Sequence, residues 1–165
     1  QPKSLFIQFI VWALAAKISR LIFTVPFFII FIYLYGISRF TVLSTVIFLL
    51  LGFSISFFLE LAIIPLAFFI DQTWSFRHLK TILALFLGGS MLPLDLLSDN
   101  LRLIVNYLPF KFIYYIPIMS FIQPNKILQN FKQDVFIYLF YCITFFIVSL
   151  YLWKKGIKKY GAYGN

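Results

Sequence analysis

A continuous apolar run over residues 41–70 is the feature that most constrains how this chain can fold. Glu60 is its one ionisable side chain, and most of the others are Phe, Leu, Ile and Val. About 20 such residues in a helix span the hydrocarbon core of a bilayer. Hydrophobic residues make up 62% of the 165-residue chain, including 23 Phe, which is more than the interior of a soluble domain of this size can hide. The chain is therefore predicted to be an all-α, polytopic integral membrane protein.

Four membrane helices are predicted from the apolar runs. They cover residues 21–38, 41–70, 81–94 and 134–153. The third run is short for a full crossing. A further apolar stretch near the N-terminus is cut off from the first span by Lys17 and Arg20, so residues 1–20 are interpreted as a cytoplasmic interfacial helix. The alternative is one long helix through residue 35, with its basic residues at the headgroups.

The basic residues predict the orientation of the chain in the membrane. The tail over residues 154–165 contains Lys154, Lys155, Lys158 and Lys159. Positively charged segments that flank membrane helices stay in the cytoplasm, so the C-terminus is predicted to be cytoplasmic. Four crossings then place the N-terminus on the same side and residues 95–133 outside, as a re-entrant region of a multi-pass protein of the cell membrane. The net charge of +9 does not indicate nucleic-acid binding, because the Lys and Arg residues lie at the ends of apolar runs.

Two features within the second run are candidate functional positions. Burying a charge in a membrane is costly, so an intramembrane carboxylate such as Glu60 is a candidate polar site. If the span uses the first part of the run, Glu60 instead lies at the level of the cytoplasmic headgroups and has no special role. Gly52 and Ser56 are small residues four positions apart, which predicts a face where another helix packs closely.

Residues 88–117 are apolar, yet glycines, prolines and polar residues interrupt them in a way that a plain membrane helix does not need. Non-helical backbone at membrane depth is tolerated where protein or a water-filled cavity covers its polar groups. Asp95 and Ser98 are candidate caps for a short amphipathic helix over residues 99–107, which Pro109 ends. A second short apolar piece is predicted to end at Pro117. The simplest alternative is an apolar extracellular loop.

Catalytic chemistry has no support in the sequence. There is no phosphate-binding glycine loop, no HExxH motif and no nucleophile elbow, and the chain has only five acidic residues. One cysteine and one histidine do not make a metal cluster. The chain is therefore predicted to have no catalytic residues, no metal site and no cofactor of its own.

Residues 88–117 resemble the C-terminal half of ABC-2 type transporter permeases. The matching residues follow a pattern of glycine, Pro-Leu, a helix, Leu-Pro-Phe and Tyr-x-Pro. They are Gly89, Pro93, Leu94, Leu108, Pro109, Phe110, Tyr115 and Pro117. The ending is also similar, at Trp153, Gly156, Tyr160 and Gly164. Ser98 stands where the family often has a second proline. The family usually has a six-helix domain, so the resemblance implies that the first two helices precede this chain.

The resemblance implies the membrane subunit of an ATP-driven exporter that moves a hydrophobic or amphipathic substrate such as a drug, lipid or peptide. Two permease subunits, identical or different, would pair in the lipid membrane on a separate ATP-binding cassette subunit that holds ATP and Mg. Residues 1–20 would dock on that subunit. An outer gate would be formed by Gly88, Gly89, Pro93, Pro109, Phe110 and Pro117. The rival hypothesis is a non-transporting membrane immunity or assembly factor that acts by binding a partner.

Overall fold

The computed structural model describes residues 2–162, although the side chains of residues 2–6, 9, 16, 20, 21, 23, 24, 31 and 160–162 are outside what can be described. The described chain is all-helical, with 86% helix and no strand, which confirms the all-α part of the predicted fold class. Its helices are α1 (Pro2–Tyr35), α2 (Arg39–Ile63), α3 (Thr73–Leu87), α4 (Asp99–Asn106), α5 (Tyr115–Ile122), α6 (Pro124–Gln129) and α7 (Phe131–Ala162).

Helices α1 and α2 form an antiparallel hairpin. Ala13 of α1 packs with Leu61 and Ile64 at one end, and Lys17 bonds Ser56 one turn further along. At the other end Gly36 turns the chain with a φ of 59°, in the left-handed region that glycine adopts without strain. Helix α1 runs unbroken over Pro2–Tyr35. It differs from the interfacial helix over residues 1–20 and the separate span over residues 21–38, and it agrees with the alternative of one long helix through residue 35. Residues 17–20 contain no proline or glycine that would end a helix there.

Helices α2 and α7 run parallel to each other and form the centre of the molecule. Their contacts advance in the same direction along both: the rings of Phe48 and Phe131 lie 6.3 Å apart, and those of Phe58 and Phe146 lie 6.2 Å apart. Among the described residues these are the two helices long and apolar enough to cross a membrane, over Arg39–Phe68 and Phe131–Lys159. The count of four crossings stays a prediction.

Helix α2 ends earlier than the predicted span over residues 41–70. Pro65 cannot donate a backbone hydrogen bond, and the chain tightens into a 3-10 turn over Ile64–Phe68. Helix α3 then returns antiparallel to α2, but its 15 residues extend only about 22 Å. It stops at Leu87, before the end of the run predicted over residues 81–94, because Gly88 caps it and Gly89 turns left-handed with a φ of 80°.

Residues 88–130, called the connecting segment below, link α3 to α7. The predicted helix over residues 99–107 is confirmed as α4, with Ser98 at the N-cap position but without a side-chain capping bond. After a 3-10 turn over Pro109–Phe112, helix α5 runs back along α2, where Ser120 and Thr45 hydroxyls lie 3.4 Å apart. Pro117 does not end an element, contrary to the prediction. It lies in the first turn of α5, where a missing N–H costs no helical bond.

Helix α7 extends beyond the predicted span over residues 134–153 at both ends. It continues through most of the predicted tail over residues 154–165 to Ala162, while residues 163–165 lie outside the described part of the chain. Gly156 lets this extension pack against the 3-10 turn that follows α2, since a Cβ there would lie 2.8 Å from the Cβ of Phe68. The ring of Phe68 packs edge-on against Trp153, with centroids 5.2 Å apart.

Candidate functional site

A cavity of about 280 Å³ lies between α1, α2, α3 and the connecting segment, and is called the basic cavity below. Helix α1 brings one cation to its wall, α3 brings two, and α2 brings a carboxylate. The lining residues are Trp12, Ala13, Lys17, Ser56, Glu60, Arg77, Lys80, Thr81, Ala84, Ile113 and Tyr114. The cavity therefore combines a cationic wall with aromatic and aliphatic surface.

Glu60 forms an ion-paired cluster with two cations of α3. Its Oε1 lies 3.4 Å from Arg77 Nε, and Lys80 Nζ donates a hydrogen bond to its Oε2. The Glu60 side chain is 12% exposed and that of Lys80 is 16% exposed. Arg77 and Lys80 are three residues apart, so α3 presents both on one face. Glu60 is thus an ion-paired carboxylate on the cavity wall, and this holds whatever its depth in the membrane.

Lys17 enters the cavity from α1 and donates a 2.7 Å hydrogen bond to Ser56 Oγ. Its ammonium group also lies 5.8 Å from the centre of the Phe53 ring, and the Arg77 guanidinium lies 5.3 Å from the Trp12 ring. Both are cation–π distances, which suit cations held beside apolar surface. Ser56 was predicted to pack against another helix. It contacts α1 through a hydrogen bond.

The connecting segment closes one end of the basic cavity with Ile113 and Tyr114. This closure depends on glycines that let backbone approach backbone. A Cβ on Gly52 would overlap the carbonyl oxygen of Phe112 and lie 3.5 Å from Ile113 Cα, while one on Gly88 would lie 2.9 Å from the carbonyl oxygen of Phe110. Gly52, predicted at a helix–helix contact, therefore packs against the turn of the connecting segment.

A buried ion pair anchors the same turn to α7. Lys111 Nζ donates a 2.5 Å hydrogen bond to Asp134 Oδ1, and the two side chains are only 7% and 9% exposed. The Lys111 ammonium group also lies 5.3 Å from the centre of the Phe112 ring. Removing either partner would leave a buried charge without its counter-ion, so this pair fixes where the turn lies.

Asp95 accepts hydrogen bonds from several residues in the more exposed part of the connecting segment. Its Oδ1 accepts hydrogen bonds from Arg102 at 2.7 Å and from Lys126 at 2.9 Å, and the hydroxyl of Tyr115 lies 3.2 Å away. The hydrogen bond from Lys126 is the main cause that lowers the pKa of Asp95 below its usual 3.8. A carboxylate with a lowered pKa stabilises the fold above pH 3.8, and that contribution is lost as the pH falls through the lowered pKa. The group is 36% exposed, so the effect is small.

Comparison with known protein families matches residues 3–164 to the family described as "ABC-2 family transporter protein". The chain belongs to the ABC-2 transporter family. The match covers nearly the whole chain, including the N-terminal half, which contains none of the residues that carried the resemblance described above. No curated protein and no solved structure matches the chain.

Membership of the ABC-2 family makes this chain a membrane-embedded transport permease of an ABC transporter, and not a catalytic component itself. The family assignment and the apolar helices α2 and α7 agree on a transmembrane protein.

The structure brings some of the predicted gate residues together and leaves others apart. Gly88 is buried against the Phe110 backbone, and Pro109 opens the turn that contacts Gly52. Pro93 is exposed before a short 3-10 turn over Leu94–Leu96 and lies outside this contact. Gly89 lies between the two, with a Cβ position 3.1 Å from Leu94 Cγ.

Sequence reasoning used the Lys and Arg residues to predict orientation and did not pair any of them with an acidic residue. It therefore missed Arg77, Lys80 and Lys111 as ion-pair partners. The i, i+3 spacing of Arg77 and Lys80 indicated a shared helix face, but not that Glu60 would meet it. Nothing in the local sequence indicated the pairing of Lys111 with Asp134, which are 23 positions apart.

Proposed function

We propose that this chain is the membrane-spanning permease subunit of an ATP-driven ABC exporter that moves a hydrophobic or amphipathic substrate across the cell membrane. Two such subunits, identical or different, would form the pathway, and a separate ATP-binding cassette subunit would hold ATP and Mg and drive the conformational change. The family assignment supports the transport role, and the exporter direction and the partners are part of the proposal.

The observation that carries the proposal is the position of the turn over Pro109–Phe112. Gly52, which it contacts, is 13 residues from Arg39, or about 20 Å along α2. A hydrocarbon core is about 30 Å thick, so a span that begins near Arg39 would hold this turn well below its surface. A non-helical turn at such depth needs protein around it, and α2, α3 and α7 supply that cover. In the proposed mechanism the connecting segment is the outer gate, and this turn is the deepest part of it.

The orientation follows from the basic residues in this proposal. The start of α1, the Ile63 end of α2 and the lysines after Trp153 lie at the same end of the molecule, because α1 is antiparallel and α7 parallel to α2. Placing that end in the cytoplasm satisfies the positive-inside rule. The basic cavity would then face inward, below the gate. The ATP-binding subunit would dock beside the first part of α1.

Copurification tests the transport proposal directly. Affinity-tagged full-length protein extracted from its native membrane in mild detergent is expected to bring down an ATP-binding cassette protein in near-stoichiometric amount. The pair should hydrolyse ATP after reconstitution in nanodiscs, and hydrolysis should disappear when the ATP-binding subunit carries a disabled phosphate-binding lysine. Recovery of the permease without any ATPase, under conditions that preserve its folded state, would contradict the proposal and favour an immunity or assembly factor.

Cysteine labelling tests the proposed orientation. A Ser98→Cys change in a Cys142→Ser background is expected to react with a membrane-impermeant maleimide in intact cells, because Ser98 is exposed at the start of α4. Lys158→Cys in the same background is the matched control and should react only after lysis. The reverse pattern, with Ser98→Cys labelled only in lysed cells, would show that the gate faces the cytoplasm.

A further inference from the structure

We propose that the basic cavity binds the anionic group of an amphiphile, a phosphate or a carboxylate, through Lys17, Arg77 and Lys80. This inference rests on the proposed transport function, for which it supplies a substrate class. It does not follow from hydropathy, which indicates only an apolar or amphipathic substrate.

The charge of the wall is the first argument. Among the described lining residues, three cations face a single carboxylate, Glu60, so the cavity carries an excess of two positive charges. Keeping several like charges in a partly desolvated space is costly, and a bound anion relieves that cost. Lys17 contributes an ammonium group to this wall and donates a hydrogen bond to the neutral hydroxyl of Ser56.

Arg77 supplies a second argument. Its Nε is enclosed and lies 3.4 Å from Glu60 Oε1, so the carboxylate holds one side of the guanidinium. The guanidinium also lies over the Trp12 ring, which fixes its plane at the cavity wall. A planar guanidinium held in this way suits paired hydrogen bonds to phosphate or carboxylate oxygens.

The size and the apolar part of the lining indicate how much of a ligand fits. The cavity, at about 280 Å³, is slightly below the range of about 300–1,000 Å³ that is typical for sites enclosing a drug-sized molecule. It therefore fits a headgroup and not a whole amphiphile. Ile113 and Tyr114 provide apolar contact at the closed end, next to the gate. The acyl or aryl part of such a ligand would extend from the cavity between the helices into lipid.

Binding titrations on the full-length protein in neutral detergent test the inference. The probe is dioctanoyl phosphatidic acid, and dioctanoylglycerol is the control with the same chains and no anion. Titration calorimetry is expected to detect phosphatidic acid binding and no dioctanoylglycerol binding. A second arm repeats the titration with inorganic phosphate at millimolar concentration. Competition would show that the anion alone suffices, and a lack of competition would show that the attached chains are also needed; binding in either arm supports an anion site.

Two variants with opposite expected effects on the affinity for phosphatidic acid distinguish a role in binding from a role in folding. Lys17→Gln removes a cation and is expected to weaken phosphatidic acid binding by about fivefold, whereas Glu60→Gln removes the competing carboxylate and is expected to strengthen it by about fivefold. Lys132→Gln is the matched control, because it removes an exposed cation outside the cavity and should leave the affinity unchanged. If Glu60→Gln lowers the thermal stability too far to be titrated, Lys17→Gln and Lys132→Gln still decide the matter.

The inference is overturned if phosphatidic acid and inorganic phosphate both fail to bind, or if Lys17→Gln and Lys132→Gln weaken binding equally. The same follows if Glu60→Gln weakens binding while the protein stays folded. These titrations use the permease without ATP, so their failure leaves the copurification result standing. Conversely, anion binding by a protein that never recovers an ATPase would retain the site and remove the transport function.

Discussion

Replacing Gly52 by alanine is expected to destabilise the protein by about 2 kcal/mol, which would lower its Tm by about 5 °C. The added Cβ would overlap the carbonyl oxygen of Phe112 and lie 3.4 Å from its carbonyl carbon. Both atoms belong to backbone, which cannot rotate away as a side chain can. Helix propensity alone predicts the opposite sign, a gain of about 1 kcal/mol, since alanine is the better helix former.

Thermal unfolding of the purified full-length protein, followed by intrinsic fluorescence in detergent, measures this effect. Leu50→Ala is the matched control, because Leu50 lies on the same helix two residues away and is 59% exposed. It should change the Tm by much less than Gly52→Ala. A Gly52→Ala variant as stable as the parent or more stable would mean that the turn over Pro109–Phe112 does not contact α2.

The second large effect is expected at the buried ion pair of Lys111 and Asp134. Lys111→Met should cost about 3–5 kcal/mol, because the Asp134 carboxylate would stay buried without its counter-ion. The double variant Lys111→Met/Asp134→Leu should recover most of that loss, since it removes both charges and keeps the volume. Denaturant unfolding of the two single variants and the double variant gives the coupling free energy between the two side chains.

Arg102→Met is the control for the ion pair. It breaks the bond between Arg102 and Asp95, whose side chains are 39% and 36% exposed, so it should cost less than about 1 kcal/mol. A loss at Lys111→Met that is no larger than the loss at Arg102→Met would show that Lys111 is solvated. A double variant as unstable as Lys111→Met would show that the loss comes from packing and not from the unpaired charge.

The parts of the fold that the sequence predicted well are those set by local pattern. The apolar runs that form α2 and α7 are long enough to cross a bilayer core, and the amphipathic pattern over residues 99–107 predicted α4 before Pro109. Helix ends were less accurate where contacts between distant segments decide them. Helix α1 continues past Lys17 as one long helix, which the sequence offered only as the alternative, and the contact between Lys17 and Ser56 of α2 is not encoded in residues 1–20.

The candidate site was predicted only in outline for the same reason. Glu60 stood out because it interrupts an apolar run, but its ion pairs with Arg77 and Lys80 need α3 to return antiparallel to α2. Gly52 was interpreted as a contact between helices. It meets a backbone turn because the connecting segment folds back along α2, and sequence spacing does not encode that return. Contacts between residues that are 20 to 80 positions apart could not be inferred from the sequence, because they depend on the path of the folded chain.

The parallel arrangement of α2 and α7 has a consequence for how the protein is made. Phe48 and Ile55 pack into a cluster that Ile137 and Cys142 complete from the other helix. A ribosome therefore releases α2 into the membrane long before the surface that covers its inner face has been synthesised. Until then that face is covered by lipid or by an insertion factor. Chains that terminate before residue 131 would remain membrane-inserted but unassembled, and they would be the species that quality-control proteases remove.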